Sequence, residues 1–155
     1  MSERKDSPGI RIIPPVVYLI GFLAGYGLEQ FWPLAEAAWP WANLGGSLLI
    51  GVSVLLAAPS ILRFRKAATP FDVRKPATAL VTEGPYRYSR NPGYLALTLL
   101  YLGGVLLSES LWALALLVPV LVIMIHGVVK QEEAHLEALF GDEYREYKSQ
   151  VRRWL

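Results

Sequence analysis

The chain has no cysteine, which excludes disulfides, thiol nucleophiles and thiolate metal sites. Histidine is almost as scarce, with two residues in 155, and no metal centre is expected. Charge is thin too. Charged residues make up 18% of the chain against 54% hydrophobic, and the mean hydropathy is +0.35, values on the membrane side of ordinary soluble composition. A formal net charge of +2 carries little information by itself, and nucleic acid is not expected as a partner. The opening MSERKDSPGIRIIPP does not have the form of a signal peptide, because the apolar run after it is too long for an h-region and lacks a small-residue cleavage pattern. It reads as a cytoplasmic tail leading into a retained span. The length predicts one domain, 1–155.

What the chain has in abundance is apolar runs. Four stand out, at roughly 15–32, 44–62, 92–107 and 111–129, each near the ~20 residues that cross a hydrocarbon core. Only Ser108-Glu109-Ser110 separates the last two, which predicts a tight antiparallel helical hairpin. The charges are placed one-sidedly. All 15 Lys and Arg fall in the N-terminal tail, in the connector from Arg63 to Arg90, or in the C-terminal part from Lys130 on. The opposite side keeps Glu29, Glu36 and Glu109, with Trp32, Trp39, Trp41 and Trp112 as interfacial anchors. By the positive-inside rule both termini are cytoplasmic. The expected fold is therefore an all-α integral membrane protein of four transmembrane helices, with a cytoplasmic connector and short C-terminal amphipathic helices. A soluble helical bundle is the alternative, and the uncharged runs and one-sided charge count against it.

Gly21 and Gly25 form a GxxxG pair, and Gly45, Gly46 and Gly51 are similar small positions in the second span; these predict close helix packing and leave the oligomeric state open. Pro59 and Pro119 are expected to bend their helices. The connector should be mostly irregular, because Thr69-Pro70 and Lys75-Pro76 interrupt helix. After Lys130 a charged helix is expected to stop at Gly141. A second one follows, with Tyr144, Tyr147 and Val151 on one side and Arg152-Arg153-Trp154 suited to headgroups.

Two constellations carry possible chemistry. The first is LVTEGPYRYSRNPGY, residues 80–94. Gly84-Pro85 lets backbone approach a ligand. Asn91 is placed as an N-cap with Pro92 at the first helical position, so free N–H groups face the cytoplasmic headgroup zone. Arg90 adds a planar cation, and Tyr86, Tyr88 and Tyr94 can pack on a ring or a sulfonium. Tyr86, Arg90, Asn91 and Tyr94 together read as a cofactor site, while Arg87 and Tyr88 read as headgroup anchors. The second is His126, Lys130 and Glu133, spaced i, i+4, i+7 on one helical face, with Glu132 pointing elsewhere. One carboxylate could accept hydrogen bonds from a ribose or pair with Arg90, and His126, lying deepest, could touch a reacting group.

GPYRYSRNPGY, a helical hairpin and then EEAHLEALFGDEYREY together resemble the membrane-embedded methyltransferases, among them the isoprenylcysteine carboxyl methyltransferases and the phospholipid N-methyltransferases. The likeness covers about the C-terminal half of the chain. It implies S-adenosylmethionine bound on the cytoplasmic side and a lipophilic acceptor entering from the bilayer. By the motif, Tyr86, Arg90, Asn91, Pro92, Tyr94 and one of Glu132 and Glu133 carry over as cofactor contacts, joined by backbone around Leu80, Val81 and Gly84. His126, Glu133 and Arg90 are the expected catalytic residues. Asn91 stands where the prenyl-protein enzymes typically have histidine, and His126 where they tend to have an arginine near the reacting carboxylate. A carboxylate acceptor needs charge neutralisation, whereas an amine or hydroxyl must lose a proton; His126 leans towards the latter, and the acceptor stays open. Two rival classes are an NADPH-dependent reductase of sterol-reductase-like architecture, with Arg63, Arg65 and Lys66 on a 2′-phosphate, and a non-enzymatic membrane scaffold.

Overall fold

The computed structural model describes residues 9–34, 39–72, 74–75 and 77–155; Arg4, Lys5, Glu36 and Pro76 lie outside them. The described residues are helices and connections with no strand. α1 spans Pro14–Phe31, α2 Ala42–Lys66, α3 Pro92–Ser108, α4 Leu111–Met124, α5 Lys130–Phe140 and α6 Asp142–Gln150. A 3₁₀ turn covers Gly84–Arg87, and a π-helical turn, Ile125–Val129, fuses α4 and α5 into one rod. By length and composition, α2 and the rod Leu111–Phe140 are able to cross a membrane, and α3 is a shorter apolar helix. α2 and α4 run through Pro59 and Pro119 without interruption.

The helices pack chiefly as two pairs, α2 with α3 and α1 with α4. Glycine makes each pair close. A Cβ on Gly46 would stand 2.9 Å from the Gly103 carbonyl oxygen, and one on Gly103 would stand 3.0 Å from that of Gly46. A Cβ on Gly25 would run into the backbone of Ala113, and one on Gly21 into Val120. The GxxxG pair of α1 is thus used inside the chain, against α4, rather than offered to a second copy. Polar side chains add pins where apolar surroundings make each hydrogen bond count. The Tyr101 hydroxyl donates to Ala113 O at 2.7 Å, and Ser53 donates to Ala96 O at 2.8 Å. Tyr18 and Thr98 share a hydrogen bond of 2.8 Å. Around them Tyr18, Tyr101, Val105, Leu117, Val120 and Met124 form the core.

The chain reverses between α3 and α4 at Glu109, whose φ of 48° is left-handed; the two helices do not form the tight hairpin expected, because α3 packs chiefly on α2 and α4 on α1. Ser110 caps α4 by accepting from Ala113 N at 3.0 Å. Glu29 of α1 reaches across to accept from Trp112 N at 2.8 Å and Ser110 Oγ at 3.2 Å, a carboxylate at the positive end of a helix. At the other end of the rod Gly141, with φ 56°, stops α5. α6 then turns its buried Tyr144 and Tyr147 onto the protein, and the Tyr147 hydroxyl donates to Tyr86 O at 2.7 Å. Its aromatic face therefore packs on the Gly84–Arg87 turn. Val151 adopts an extended conformation that ends the helix instead of continuing that face.

Gly25→Val should lower stability by at least about 1–3 kcal/mol, the ordinary cost of overpacking, because the obstacle is backbone that cannot turn aside. Gly27, with open space around its Cβ position, is the control: Gly27→Ala should be neutral or stabilise α1 by up to about 1 kcal/mol. Reversible unfolding in mixed micelles measures both.

Candidate active site

The site lies at the end of the bundle where the connector meets α5 and α6. Gly84 enters the 3₁₀ turn with φ 64°, and a Cβ there would stand 2.9 Å from Nε of Arg63. Arg63 pairs with Glu83 at 2.7 Å, so the turn is fixed to the end of α2. Tyr86 is buried, its ring 5.4 Å from that of Phe64. Asn91 occupies the N-cap position with Pro92 at the helix start, but its side chain does not cap. Its Nδ2 donates instead to Arg153 O at 3.0 Å, and its backbone N–H goes to Ser89 Oγ at 3.1 Å. The expected cap is displaced because the C-terminal segment returns beside the helix start and offers a carbonyl.

The two glutamates of α5 point apart, as adjacent helical residues must. Glu132 Oε2 accepts from the Tyr94 hydroxyl at 2.7 Å. Glu133, buried, accepts from Arg153 through Nε at 3.0 Å and Nη2 at 2.7 Å. Nη2 of Arg90 lies 3.4 Å from the same carboxylate. Nε and Nη1 of Arg90 and Nε2 of His135 are buried with no hydrogen-bond partner among the described residues.

Two cavities open here. One, about 60 Å³, is the more polar of the two, with Arg90, Glu133 and His135 in its wall beside Leu80 and Val81. The other, about 480 Å³, runs between the start of α1, α2 and α3, where Ala57, Ile61, Leu97 and Leu100 make it apolar. Asp72, Tyr86, Arg90, Asn91 and Glu132 line both, so the cavities share a wall. Tyr94 lines the larger one only. Gly84 and Pro92, expected as cofactor contacts, line neither; they stand at the turn and at the helix start.

His126 and Lys130 are placed differently from the expectation. Both are exposed, with Lys130 Nζ 3.5 Å from His126 Nδ1, and neither lines a cavity. The cause is the π-helical turn Ile125–Val129. Its wider turn inserts about one residue into the helical register, so the i, i+4, i+7 face does not carry through from His126 to Glu133. The histidine that does reach the site is His135. Its signal in the sequence is its position three residues after Glu132, on the same side of α5.

Burial keeps the phenols around the site protonated. The Tyr86 hydroxyl is pushed well above its ordinary value by burial and then by the charge of Glu132. Tyr144 is pushed up to about 12 by burial and then by Glu133, and burial likewise raises Tyr147. Arg153 is held as a cation by its hydrogen bonds to Glu133.

Residues 41–143 match a family described as phospholipid methyltransferase, well over half of the chain. The chain belongs to the phospholipid methyltransferase family. The resemblance carried by GPYRYSRNPGY and EEAHLEALFGDEYREY thus agrees with a family assignment that takes in α2, the connector, α3, α4 and α5. The chain is also similar to an uncharacterised protein of Haemophilus influenzae (strain ATCC 51907 / DSM 11121 / KW20 / Rd), 48% identical over 63 residues that make up 40% of this chain and 98% of that one. No solved structure matches. For a membrane methyltransferase family the arrangement is chemically apt: a polar pocket and an apolar cavity meet at a wall of tyrosine, arginine and glutamate.

Tyr94→Phe should remove the donor to Glu132 and lower stability by roughly 1–3 kcal/mol, the usual cost of leaving a buried acceptor unsatisfied. His126→Ala, at an exposed position, should stay within about 0.5 kcal/mol of the parent. Both are read from the same unfolding assay.

Proposed function

We propose that this protein transfers a methyl group from S-adenosylmethionine to a small lipophilic acceptor at the cytoplasmic face of a membrane. One observation carries the reading: the polar pocket, with unpartnered nitrogens on Arg90 and His135, shares a wall with an apolar cavity of about 480 Å³. The residues lining the smaller pocket suit the amino-acid end of the cofactor, whose nucleoside would extend beyond its roughly 60 Å³. Arg90 would offer buried N–H groups to a carboxylate, His135 Nε2 would be available to a polar edge, and Tyr86 would supply an aromatic surface. S-adenosylmethionine, when bound, supplies an electrophilic methyl on a sulfonium.

The larger cavity suits an acyl or prenyl-like chain, with Ala57, Ile61, Leu97 and Leu100 excluding water from the reacting end. Glu132, hydrogen-bonded to the neutral Tyr94 phenol, stands at the shared wall. There it takes the proton that an amine or hydroxyl acceptor must lose. This gives Glu132 the role that the sequence placed on His126, and Arg90 and Glu133 the role of holding the cofactor. The membrane orientation follows the charges: the site lies at the end carrying Arg63, Arg65 and Lys66, which the positive-inside rule assigns to the cytoplasm. α1 and α3 complete the four spans of this arrangement. The reductase reading gains no support, since Arg63 is engaged with Glu83 and neither Arg65 nor Lys66 lines a cavity.

Calorimetric titration of the detergent-solubilised protein with S-adenosylhomocysteine should show saturable binding, weakened at least about tenfold (~1.4 kcal/mol) in Arg90→Gln. Absence of binding to folded parent protein would sink the proposal. Ala57→Phe, which fills only the apolar cavity, should leave that affinity unchanged. It should also cut the transfer of a tritiated methyl group into extracted membrane lipids by at least about tenfold (~1.4 kcal/mol).

A further inference from the structure

The segment after α6 folds back across the site. The backbone N–H of Arg90 donates to Arg152 O at 3.0 Å, while Asn91 Nδ2 and Ser89 Oγ donate to Arg153 O at 3.0 and 3.3 Å. The strap fixes the Ser89–Asn91 turn and delivers the Arg153 guanidinium to Glu133. It lies beyond residue 143, where the family match ends, and the basic pair that the sequence reading gave to headgroups is in part used here.

Two guanidiniums thus surround one carboxylate. Arg153 takes both oxygens of Glu133 at 3.0 and 2.7 Å, and Arg90 holds the longer contact, 3.4 Å. Arg90 is the more enclosed cation, its side chain 9% exposed against 35% for Arg153. Arg153 makes the two short contacts to the carboxylate, while Nε and Nη1 of Arg90 have no hydrogen-bond partner among the described residues. The trio keeps one net positive charge, sited where the polar pocket can use it.

We propose that Arg153 is a positioning residue: by occupying Glu133 it reserves Arg90 for an anionic ligand group, the carboxylate of the amino-acid end of the cofactor. The inference rests on the proposed function. Without Arg153, Glu133 has Arg90 as its nearest cation. Arg90 then turns to satisfy it, and the trio's net charge falls to zero. Affinity is lost only for ligands that carry the carboxylate.

The test is calorimetric binding to the full chain in detergent, with unfolding temperature as a check on the fold. S-adenosylhomocysteine should bind Arg153→Gln at least about tenfold more weakly than the parent. Arg153→Lys, which keeps the charge but not the two-pronged contact, should fall between them. 5′-Methylthioadenosine, which lacks the amino-acid end, should bind parent and both variants within about twofold in competition. In a Glu133→Gln background, Arg153→Gln should add less than about twofold, because its route of action is already gone. Equal weakening of both ligands, or no change in either, overturns the proposal, as does full additivity with Glu133→Gln. If Arg153→Gln does not fold, a Lys variant that folds and binds S-adenosylhomocysteine like the parent overturns it too. Failure of the parent to bind S-adenosylhomocysteine rejects the proposed function, a separate result.

Discussion

A single buried carboxylate, Glu133, ties the functional end of this molecule together. It belongs to α5, its cations come from the loop before α3 and from the segment after α6, and it is the point at which three stretches distant in sequence meet. A buried carboxylate must be paired and hydrogen-bonded to stay charged, because its desolvation otherwise costs several kcal/mol. The position of Glu133 therefore dictates that of Arg90, and the strap that brings Arg153 also takes Asn91 Nδ2. The neighbouring Glu132 is in no ion pair among the described residues and accepts from the Tyr94 hydroxyl at the shared wall.

Away from that end the structure obeys a different constraint. Helices in an apolar environment gain little from burying more apolar surface, so close approach and hydrogen bonds decide which pairs form. Gly46 with Gly103, and Gly25 with Ala113, draw α2 to α3 and α1 to α4. The larger cavity is what remains where the start of α1 faces α2 and α3. Tight packing within the pairs and open space beside them have the same origin.

Much of this was legible in the sequence, for physical reasons. Uncharged runs of fixed length give helices, Ser108-Glu109-Ser110 gives a chain reversal, and Gly141 gives a stop, since each is a local rule that tertiary context rarely overrides; the expected tight α3–α4 packing is not such a rule, and α3 goes to α2 and α4 to α1 instead. Glu132 and Glu133 diverge as adjacent helical residues must. What failed depended on contacts far apart in the chain. Asn91 has the side chain and position of an N-cap, yet a carbonyl from residue 153 takes its amide. Arg153 has the look of a headgroup anchor, yet a buried carboxylate 20 residues earlier claims it. His126 was misplaced by a subtler error, the assumption of uniform helical periodicity through residues 125–129, and His135 was passed over in consequence.

The π-helical turn has a further meaning for the rod that contains it. An unbroken α-helix is a rigid shaft, on which every residue's direction is set by every other's. With a wide turn in the middle, the shaft has two independent dials. The upper half can be tuned to fit α1 and the surrounding lipid, and the lower half to aim its carboxylates, without either setting disturbing the other. A rod built this way can change the packing of its apolar half while its charged end keeps the same heading.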